Sequence, residues 1–316
     1  MRREDTKLPR ILWLSGVVVV ALLALWVLNA SRPGTRADGC PEGCATVGER
    51  REGPLRVMSL NMLHGFPRFE HLSERLDLIA EEILRRDADI VCLQEVPWTP
   101  HLGNAAKYLA ESTGLNYLYL RANGNRWAII FEEGEAILSR YPLREVVVAE
   151  LQPRAGFFEH RVVLGVTTMT PWGDVDVFVT HLTNGAPEVN RAQAASLADF
   201  VGMWGKGLAV VAGDFNARED SPQIEELTSQ WVDTYRALHL DDEGLTCCID
   251  ELSSSPAEEL EERIDYIFLV PGAEKVFRVA SSQKVLDQPF QRAGGWQWAS
   301  DHVGLLTAIL MDRSGE

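Results

Sequence analysis

Short apolar runs alternate with amphipathic stretches along most of this chain. Apolar residues at helical spacing, with charged residues between them, predict a helix over 71–86, and a second helix is predicted over 189–204. Buried or alternating strands are predicted at 55–60, 90–93, 136–138, 175–179, 208–211, 264–270 and 305–310. Many strands with a few helices between them favour an α/β layered domain with sheets at its centre.

The N-terminal pattern is different. Residues 11–30 are apolar and uncharged, and a helix of about 20 such residues can cross a bilayer. Basic residues precede this run, and positive flanks tend to stay in the cytoplasm. We therefore predict a cytoplasmic tail (1–10), a single transmembrane anchor (11–30) and a remainder outside the cytoplasm. A cleaved signal peptide is the alternative, although the run is long for one and no clear cleavage site follows it.

The rest of the chain divides into a linker and one domain. Residues 31–53 are rich in Arg, Gly, Glu and Pro, which predicts a linker. No boundary or repeat interrupts 54–316, which we assign to one domain. Within it, residues 249–262 are acidic and Ser-rich and predict a solvated surface loop.

The net charge of −16 narrows the range of partners. Non-specific binding of nucleic acid depends on Lys and Arg, and an acidic surface also weakens attraction to anionic lipid. A phosphate substrate would therefore rely on a metal ion for local positive charge.

The five cysteines divide into one core residue and four that could pair. Cys92 lies within an apolar run, which is typical of a buried thiol. Cys40, Cys44, Cys247 and Cys248 allow three disulfide pairings, and export would permit disulfides. Zinc is the alternative, but adjacent cysteines have the wrong spacing for a zinc knuckle.

Polar residues that bind metals or move protons stand at the ends of the predicted strands. They are Asn61, Glu95, His181, Asp214 with Asn216, Asp265, and Asp301 with His302. Each has an ordinary structural explanation, such as a turn, a helix cap or a satisfied core histidine. Six such strand ends together are better explained by a site, because strand ends at one sheet edge cluster in space.

The residue types suggest phosphate-ester hydrolysis. Mg²⁺ prefers oxygen ligands, which suits Glu95 and Asn61, and no HExxH motif or Cys/His cluster indicates zinc. Asp214 and His302 are candidates to orient a water or accept its proton. The remaining assignments are phosphate contacts for Asn216 and His181, and orientation of the His302 ring by Asp265.

Seven motifs in this order resemble the endonuclease/exonuclease/phosphatase superfamily. They are Ser59-Leu60-Asn61, Leu93-Gln94-Glu95-Val96, Ala136-Ile137-Leu138-Ser139-Arg140-Tyr141-Pro142, Thr180-His181-Leu182, Gly213-Asp214-Phe215-Asn216, Arg263-Ile264-Asp265-Tyr266 and Ser300-Asp301-His302. The resemblance implies a four-layer α/β sandwich of two packed mixed sheets between helices. His181 within its motif is closer to the nuclease-I and sphingomyelinase branches than to the repair nucleases.

The resemblance also implies roles. Mg²⁺, or Mn²⁺, would be bound chiefly by Glu95, with Asn61 and Asp301 nearby. Water would attack phosphorus in line, with Asp214 and His302 acting on that water; which of the two is the formal base stays open. His181 and Asn216 would contact the phosphate, and Asp265 would pair with His302.

The substrate is left open as a phospholipid head group, a small phosphate or a nucleic acid, and no protein partner is evident. The negative net charge and the predicted anchor favour a phospholipid head group or a small phosphate as the substrate. A secreted or surface-tethered endonuclease is an alternative. A non-catalytic binding module of the same fold is the second alternative.

Phe157, Phe158, Trp296 and Trp298 could form an apolar rim near the site, but core packing is the favoured interpretation. Loops 249–262 and 297–300 are the candidates for specificity.

Overall fold

An apolar helix precedes the folded domain. The computed structural model describes residues 7–30, 32–40, 53–255, 260–272, 277–292 and 294–311, so residues 1–6 of the predicted tail lie outside it. Helix α1 spans Lys7–Ala30. Its segment Leu12–Asn29 is long and apolar enough to cross a membrane, a property it shares with signal sequences. The helix is therefore consistent with either an anchor or a signal.

The domain combines four helices with short and long strands among the described residues. The helices are α2 (Leu72–Arg86), α3 (Ala105–Thr113), α4 (Pro187–Trp204) and α5 (Pro222–Thr228). The strands are β1 (Asp38–Gly39), β2 (Leu55–Asn61), β3 (Ile90–Thr99), β4 (Gly103–Asn104), β5 (Asn116–Asn125), β6 (Phe131–Ser139), β7 (Leu143–Glu150), β8 (Val162–Thr170), β9 (Gly173–His181), β10 (Ala209–Asp214), β11 (Val232–Asp233), β12 (Asp265–Val270), β13 (Phe277–Val285), β14 (Phe290–Arg292), β15 (Gly295–Gln297) and β16 (Gly304–Met311).

Two mixed sheets form the centre of the domain. The first has the order β1-β5-β6-β3-β2-β16-β13, with β4 beside β3, and the second has the order β11-β12-β10-β9-β8-β7. Each contains a parallel pair near its middle, β2 with β3 and β9 with β10. Because parallel strands end at the same edge of a sheet, the residues that follow these pairs are brought together.

The layers follow from which side chains each sheet buries. Val57, Ile90 and Val210 belong to a core between the two sheets. Helices α2 and α3 cover the outer face of the first sheet, with Leu76 and Leu109 in that core. Helices α4 and α5 cover the second sheet in the same way. The predicted four-layer α/β sandwich is therefore confirmed.

The amphipathic helix predicted over 71–86 is α2. Its apolar positions Leu76, Ile79 and Ile83 are buried, as their spacing predicts. The helix ends at Asp87, which adopts a left-handed conformation and donates its backbone N–H to carbonyls of the last turn. The sequence patterns left out α3, α5 and several strands, including β5, β7, β8 and β13.

Part of the predicted linker lies against the first sheet. Asp38 and Gly39 form β1 and pair with Tyr119 and Leu118 of β5. Gly34 donates its backbone N–H to the carbonyl of Arg121 at 2.8 Å. Residues 34–40 thus run antiparallel along β5, and β1 forms the edge of this sheet.

Candidate active site

The candidate site continues the core that lies between the two sheets. In three neighbouring strands of the second sheet, alternate side chains face this core: Val177 and Val179 in β9, Val210 and Ala212 in β10, and Ile267 and Leu269 in β12. The same alternation continues to His181, Asp214 and Asp265 at the strand ends. Asp214 is directly opposite both His181 and Asp265 in the sheet register. These three polar side chains therefore form a row on one face of the sheet.

The first sheet supplies Asn61 and Glu95 from the opposite side. Asn61 ends β2 and is paired with Gln94 of β3. The register of β3 shifts between Leu93 and Val96, and Glu95 within this bulge has a φ of 53°. A bulge redirects a side chain, and a positive φ is costly for a glutamate. The bulge thus aims the Glu95 carboxylate at Asn61, whose Nδ2 donates to Glu95 Oε1 at 3.3 Å.

Within the motif Gly213-Asp214-Phe215-Asn216, the local backbone geometry explains the glycine, the aspartate and the asparagine. A Cβ on Gly213 would lie 2.0 Å from the carbonyl oxygen of Thr180, so only glycine permits the parallel pairing here. Asp214 Oδ1 accepts the backbone N–H of Asn216 at 2.8 Å. Asn216 itself has a φ of 46°, a left-handed conformation that Asn tolerates well. The motif is a turn, as its composition suggests, and it also holds Asp214 rigidly.

Asp214 lies at the centre of a buried polar network. Its Oδ2 accepts a hydrogen bond from Nδ2 of Asn61 at 3.0 Å, and it lies 3.3 Å from Nε2 of His181. The same oxygen lies 3.8 Å from Nε2 of His302. Burial, together with the nearby Asp265 carboxylate, raises the pKa of Asp214.

His302 is oriented by Asp265. Its Nδ1 lies 2.8 Å from Asp265 Oδ2, and since a carboxylate can only accept, the ring donates at Nδ1. Nε2 therefore faces Asp214. Burial would lower the pKa of His302, but the charges of Asp265, Asp214 and Asp301 outweigh it and raise that pKa well above its usual value.

His181 and Asn216 form a second pair beside Asp214. Nε2 of His181 lies 2.8 Å from Nδ2 of Asn216, which also donates to the carbonyl of Leu182 at 2.9 Å. Burial and the positive charge of Arg161 lower the pKa of His181 well below its usual value. His181 is therefore neutral at physiological pH, and its Nδ1 is buried without a hydrogen-bond partner among the described residues.

Asp301 joins the Asn61–Glu95 pair through a serine. Ser300 Oγ donates to the backbone carbonyl of Asn61 at 2.7 Å and also lies 3.1 Å from Asp301 Oδ1. Burial raises the pKa of Asp301, and the negative charge of Glu95 adds to this effect. Two carboxylates that repel one another next to an amide oxygen fit a hard divalent cation, which would relieve the repulsion.

The structure thus places all eight residues predicted for the site around one point. It also adds residues that the sequence patterns missed. Glu133 and Glu135 lie on the inward face of β6, and burial raises the pKa of both carboxyls. The positive charge of Arg161 acts on both. The available signal was their spacing of two residues immediately before the strand predicted at 136–138.

Arg75 supports the site from α2. It is fully buried, although α2 reads as an amphipathic surface helix. Its guanidinium donates to the backbone carbonyls of Met62, Leu63 and Ala299 at 2.7, 3.0 and 3.3 Å. Burial lowers the pKa of Arg75 to about 10, so it is still charged at neutral pH. Arg75 therefore ties together the two segments that carry Asn61 and Asp301.

The substitution Arg75→Met is expected to lower the free energy of unfolding by about 3 kcal/mol, because buried carbonyls would lose their donor. Urea denaturation followed by circular dichroism measures this. Arg144→Met is the matched control, since Arg144 makes an exposed ion pair with Asp174, and it should change stability by about 1 kcal/mol or less. Equal effects of the two substitutions would contradict the supporting role of Arg75.

The cysteines pair next to His302. Cys247 and Cys248 are joined by a disulfide, which is one of the possible pairings, and Cys247 Sγ lies 3.4 Å from His302 Nε2. Cys40 has no disulfide partner among the described residues, and Cys44 lies outside them. Cys92 is buried and free, as predicted.

A cleft of about 630 Å³ opens beside the site. It is lined by residues 63–68 and 249–253, and Arg75 and Asp301 also line it. The segment predicted as a solvated loop is anchored there, because Ile249 packs with Trp298 and Val303, and the Trp298 N–H bonds the carbonyl of Leu252 at 2.7 Å. Residues 256–259 lie outside the described residues.

The four aromatic residues considered for a rim differ in their environments. Trp298 is buried, in agreement with core packing, and Trp296 is half-buried. Phe157 and Phe158 are more than half exposed, at 52% and 59%, so core packing was wrong for these two. Their rings contact each other edge to face with centroids 4.8 Å apart.

Comparison with known proteins gives one family. A model of the endonuclease/exonuclease/phosphatase family matches residues 58–302. No curated protein matches the sequence significantly.

Solved structures give the same fold. A family protein from Beutenbergia cavernae has a TM-score of 0.63 at 25% identity, over 82% of this chain and 72% of that one. A family protein from Bacteroides thetaiotaomicron has a TM-score of 0.66 at 19% identity, over 83% and 100%. The mannosyl-6-phosphatase Bt3783 from Bacteroides thetaiotaomicron has a TM-score of 0.64 at 19% identity, over 81% and 99%.

Proposed function

Because the chain belongs to the endonuclease/exonuclease/phosphatase family, we propose that it is a hydrolase that cleaves a phosphate ester with a divalent metal ion, Mg²⁺ or Mn²⁺. The observation that carries this proposal is the buried network around Asp214, which joins Asn61, His181 and His302. A binding module would have no need to bury acids whose pKa values are perturbed, whereas acid–base catalysis does.

Asp214 and His302 orient the reacting water and accept its proton. Their facing atoms, Oδ2 and Nε2, lie 3.8 Å apart, and Asp265 fixes the ring that carries Nε2. As the water oxygen bonds to phosphorus and the ester oxygen leaves, the proton of the water passes to this pair. Because the two groups interact strongly, the proton belongs to the pair as a unit.

The phosphate is held by neighbouring donors. The Asn216 amide donates one N–H to the carbonyl of Leu182 and presents the other to Nε2 of the neutral His181. A phosphate oxygen would take over the second N–H from His181. Donors that are already fixed in place stabilise charge as it develops on phosphate oxygens. Arg161, whose positive charge acts on His181, is a further basic residue that would assist them.

The cation would be held by Glu95 with Asn61 and Asp301, whose oxygens suit Mg²⁺. When bound, the cation supplies positive charge that offsets the negative charge of the phosphate oxygens. The acidic chain offers little positive charge of its own. Asp214, Asp265 and His302 also lie close enough to share an ion. We assign them to proton handling instead, because the His302 Nδ1 is already committed to Asp265.

We further propose that α1 is an uncleaved anchor with its N-terminus in the cytoplasm, so that the domain acts outside it. The supporting features are its length, its lack of charge and the basic residues before it. The disulfide of Cys247 with Cys248 agrees with an oxidising compartment.

Metal removal should abolish activity. The full-length chain in detergent is expected to hydrolyse bis(p-nitrophenyl) phosphate with Mg²⁺, and EDTA should reduce the rate to that of buffer alone, because the phosphate charge would lose its counter-charge. Release of p-nitrophenolate measures the rate, and excess Mg²⁺ should restore it.

Two outcomes separate the competing hypotheses. Hydrolysis that persists in EDTA would contradict a metal-dependent mechanism. Absence of hydrolysis with Mg²⁺, Mn²⁺ and other divalent ions, for diester and monoester substrates alike, would favour the non-catalytic binding module.

A further inference from the structure

Exposed apolar side chains of the domain are concentrated at one end of the first sheet. Outside α1, eleven large apolar side chains of the described residues are exposed. Six of them form a surface that keeps Phe157 and Phe158 of the rim considered from the sequence but not its two tryptophans. From here on the apolar rim means these six residues: Phe66, Trp127, Ile129, Ile130, Phe157 and Phe158. Concentrations of this kind on a soluble domain usually mark a binding surface.

The turn between β5 and β6 forms the middle of the rim. Trp127 is 87% exposed and Ile130 is 60% exposed, so neither contributes much to the core. The turn is nevertheless ordered, because Oδ1 of Asn125 accepts the backbone N–H of Trp127 at 2.9 Å. Phe66 lies beside it, with its ring stacked on Phe131 at a centroid distance of 4.4 Å.

Phe157 and Phe158 are held at the same end of the sheet. Two residues later, His160 donates its backbone N–H to Oδ1 of Asn123 at 2.7 Å, and Asn123 lies in β5 two residues before Asn125. The loop with the two phenylalanines is therefore fixed next to the turn with Trp127.

The rim borders the candidate active site. His64 stands between them: its backbone N–H bonds Glu95 Oε2 at 3.1 Å, and its ring lies 5.3 Å from that of Phe131. Phe66 and His64 also line the cleft beside Asp301. A surface that contacted the rim would therefore cover the mouth of the cleft.

The path of the chain indicates what that surface is. Residues 34–39 run antiparallel to β5, so going back from Gly39 towards Ala30 leads along β5 towards its Asn125 end. Helix α1 lies next to β5. The point at which the chain would leave a bilayer is thus on the same side as Trp127.

We propose that the apolar rim inserts into the surface of the bilayer that α1 spans, so that the active-site cleft opens onto lipid. Tryptophan and other large apolar side chains are stable at the lipid–water boundary. The net charge of −16 disfavours attraction to anionic lipid, so the expected surface is zwitterionic. The proposal rests on α1 as an anchor and does not depend on hydrolysis.

Quenching of tryptophan fluorescence tests this in the full-length chain. The protein is placed in nanodiscs of phosphatidylcholine with and without brominated acyl chains, which quench tryptophans within the bilayer. Trp127→Ser should shrink the quenched signal, because only Trp13 and Trp26 of α1 would then lie in lipid. Trp204→Ser is the matched control, since Trp204 is exposed on α4 against the other sheet, and it should leave the quenched signal unchanged.

An unchanged quenched signal in Trp127→Ser would overturn the proposal. The same result is expected if the rim instead covers a protein partner, because Trp127 would then be unquenched in lipid alone. An equal loss in Trp204→Ser would also overturn it. Since no arm measures hydrolysis, failure here is distinguishable from failure of the proposed activity.

Discussion

Asp214→Asn is expected to lower kcat/KM for an activated phosphodiester by about 10⁴-fold, the upper end of what a positioned proton-transfer group contributes. Asparagine keeps the shape of the side chain and can still accept the backbone N–H of Asn216. It removes the negative charge that faces Nε2 of His302 and lies next to His181. The decrease in kcat/KM therefore reflects a slower chemical step. Initial rates at saturating metal concentration measure this decrease.

Stability provides the control for this prediction. Burial disfavours the charged form of Asp214, and so does the nearby Asp265. A neutral amide should consequently leave the free energy of unfolding equal or slightly higher. A large loss of stability in urea denaturation would mean that the activity change reports unfolding.

Adding His302→Asn to Asp214→Asn should cost little more than the single substitution. Groups that act on the same proton give strongly non-additive effects, because removing either disables the unit. If the two effects simply multiply, the residues act at separate steps and the shared-proton arrangement is wrong. Substantial hydrolysis by the double variant would contradict the site altogether.

Glu95→Gln is expected to raise the Mg²⁺ concentration for half-maximal activity by roughly 100-fold, since even supporting residues of metal sites change affinity by 10- to 100-fold. Glutamine is isosteric and leaves the bulge of β3 intact, but it lacks the charge that attracts a cation. Rates at increasing Mg²⁺ measure the shift, and high Mg²⁺ should restore part of the activity.

Glu111→Gln is the matched control, because Glu111 is an exposed glutamate on α3 that pairs with Lys107. It removes the same charge from an exposed helix position that makes no contact with the site residues in the described structure, and it should leave the Mg²⁺ dependence unchanged. A kcat loss in Glu95→Gln with no shift in Mg²⁺ dependence would argue for a role other than metal binding.

The positions of the site residues were predictable because strand alternation is a local property. His181, Asp214 and Asp265 each continue the inward face of an apolar strand, and this can be read from β9, β10 and β12 alone. Their roles as metal ligands or proton carriers stay predictions until activity is measured.

Other features depended on contacts between distant segments. Glu133 and Glu135 look like a solvated acidic run, and only the pairing of β6 with β3 and β5 makes them buried. Arg75 looks like one of many charges on α2, and its partners come from residues 62–63 and 299. The spacing of Glu133 and Glu135 places both on one face of a strand, but it does not show that this face is buried. Neither spacing nor composition shows which carbonyls Arg75 contacts, because burial and distant partners depend on tertiary packing.

The row formed by His181, Asp214 and Asp265 also bears on how this protein could be redesigned. Backbone hydrogen bonds between β9, β10 and β12 fix the row, so shifting one strand by a single residue would turn its polar group to the opposite face. The turn at 126–130 joins β5 to β6, and the segment at 249–255 contains no strand, so neither takes part in that pairing. A combinatorial library of variants confined to these two segments could therefore be screened for hydrolysis of new substrates. The row of His181, Asp214 and Asp265 would keep its register in every variant.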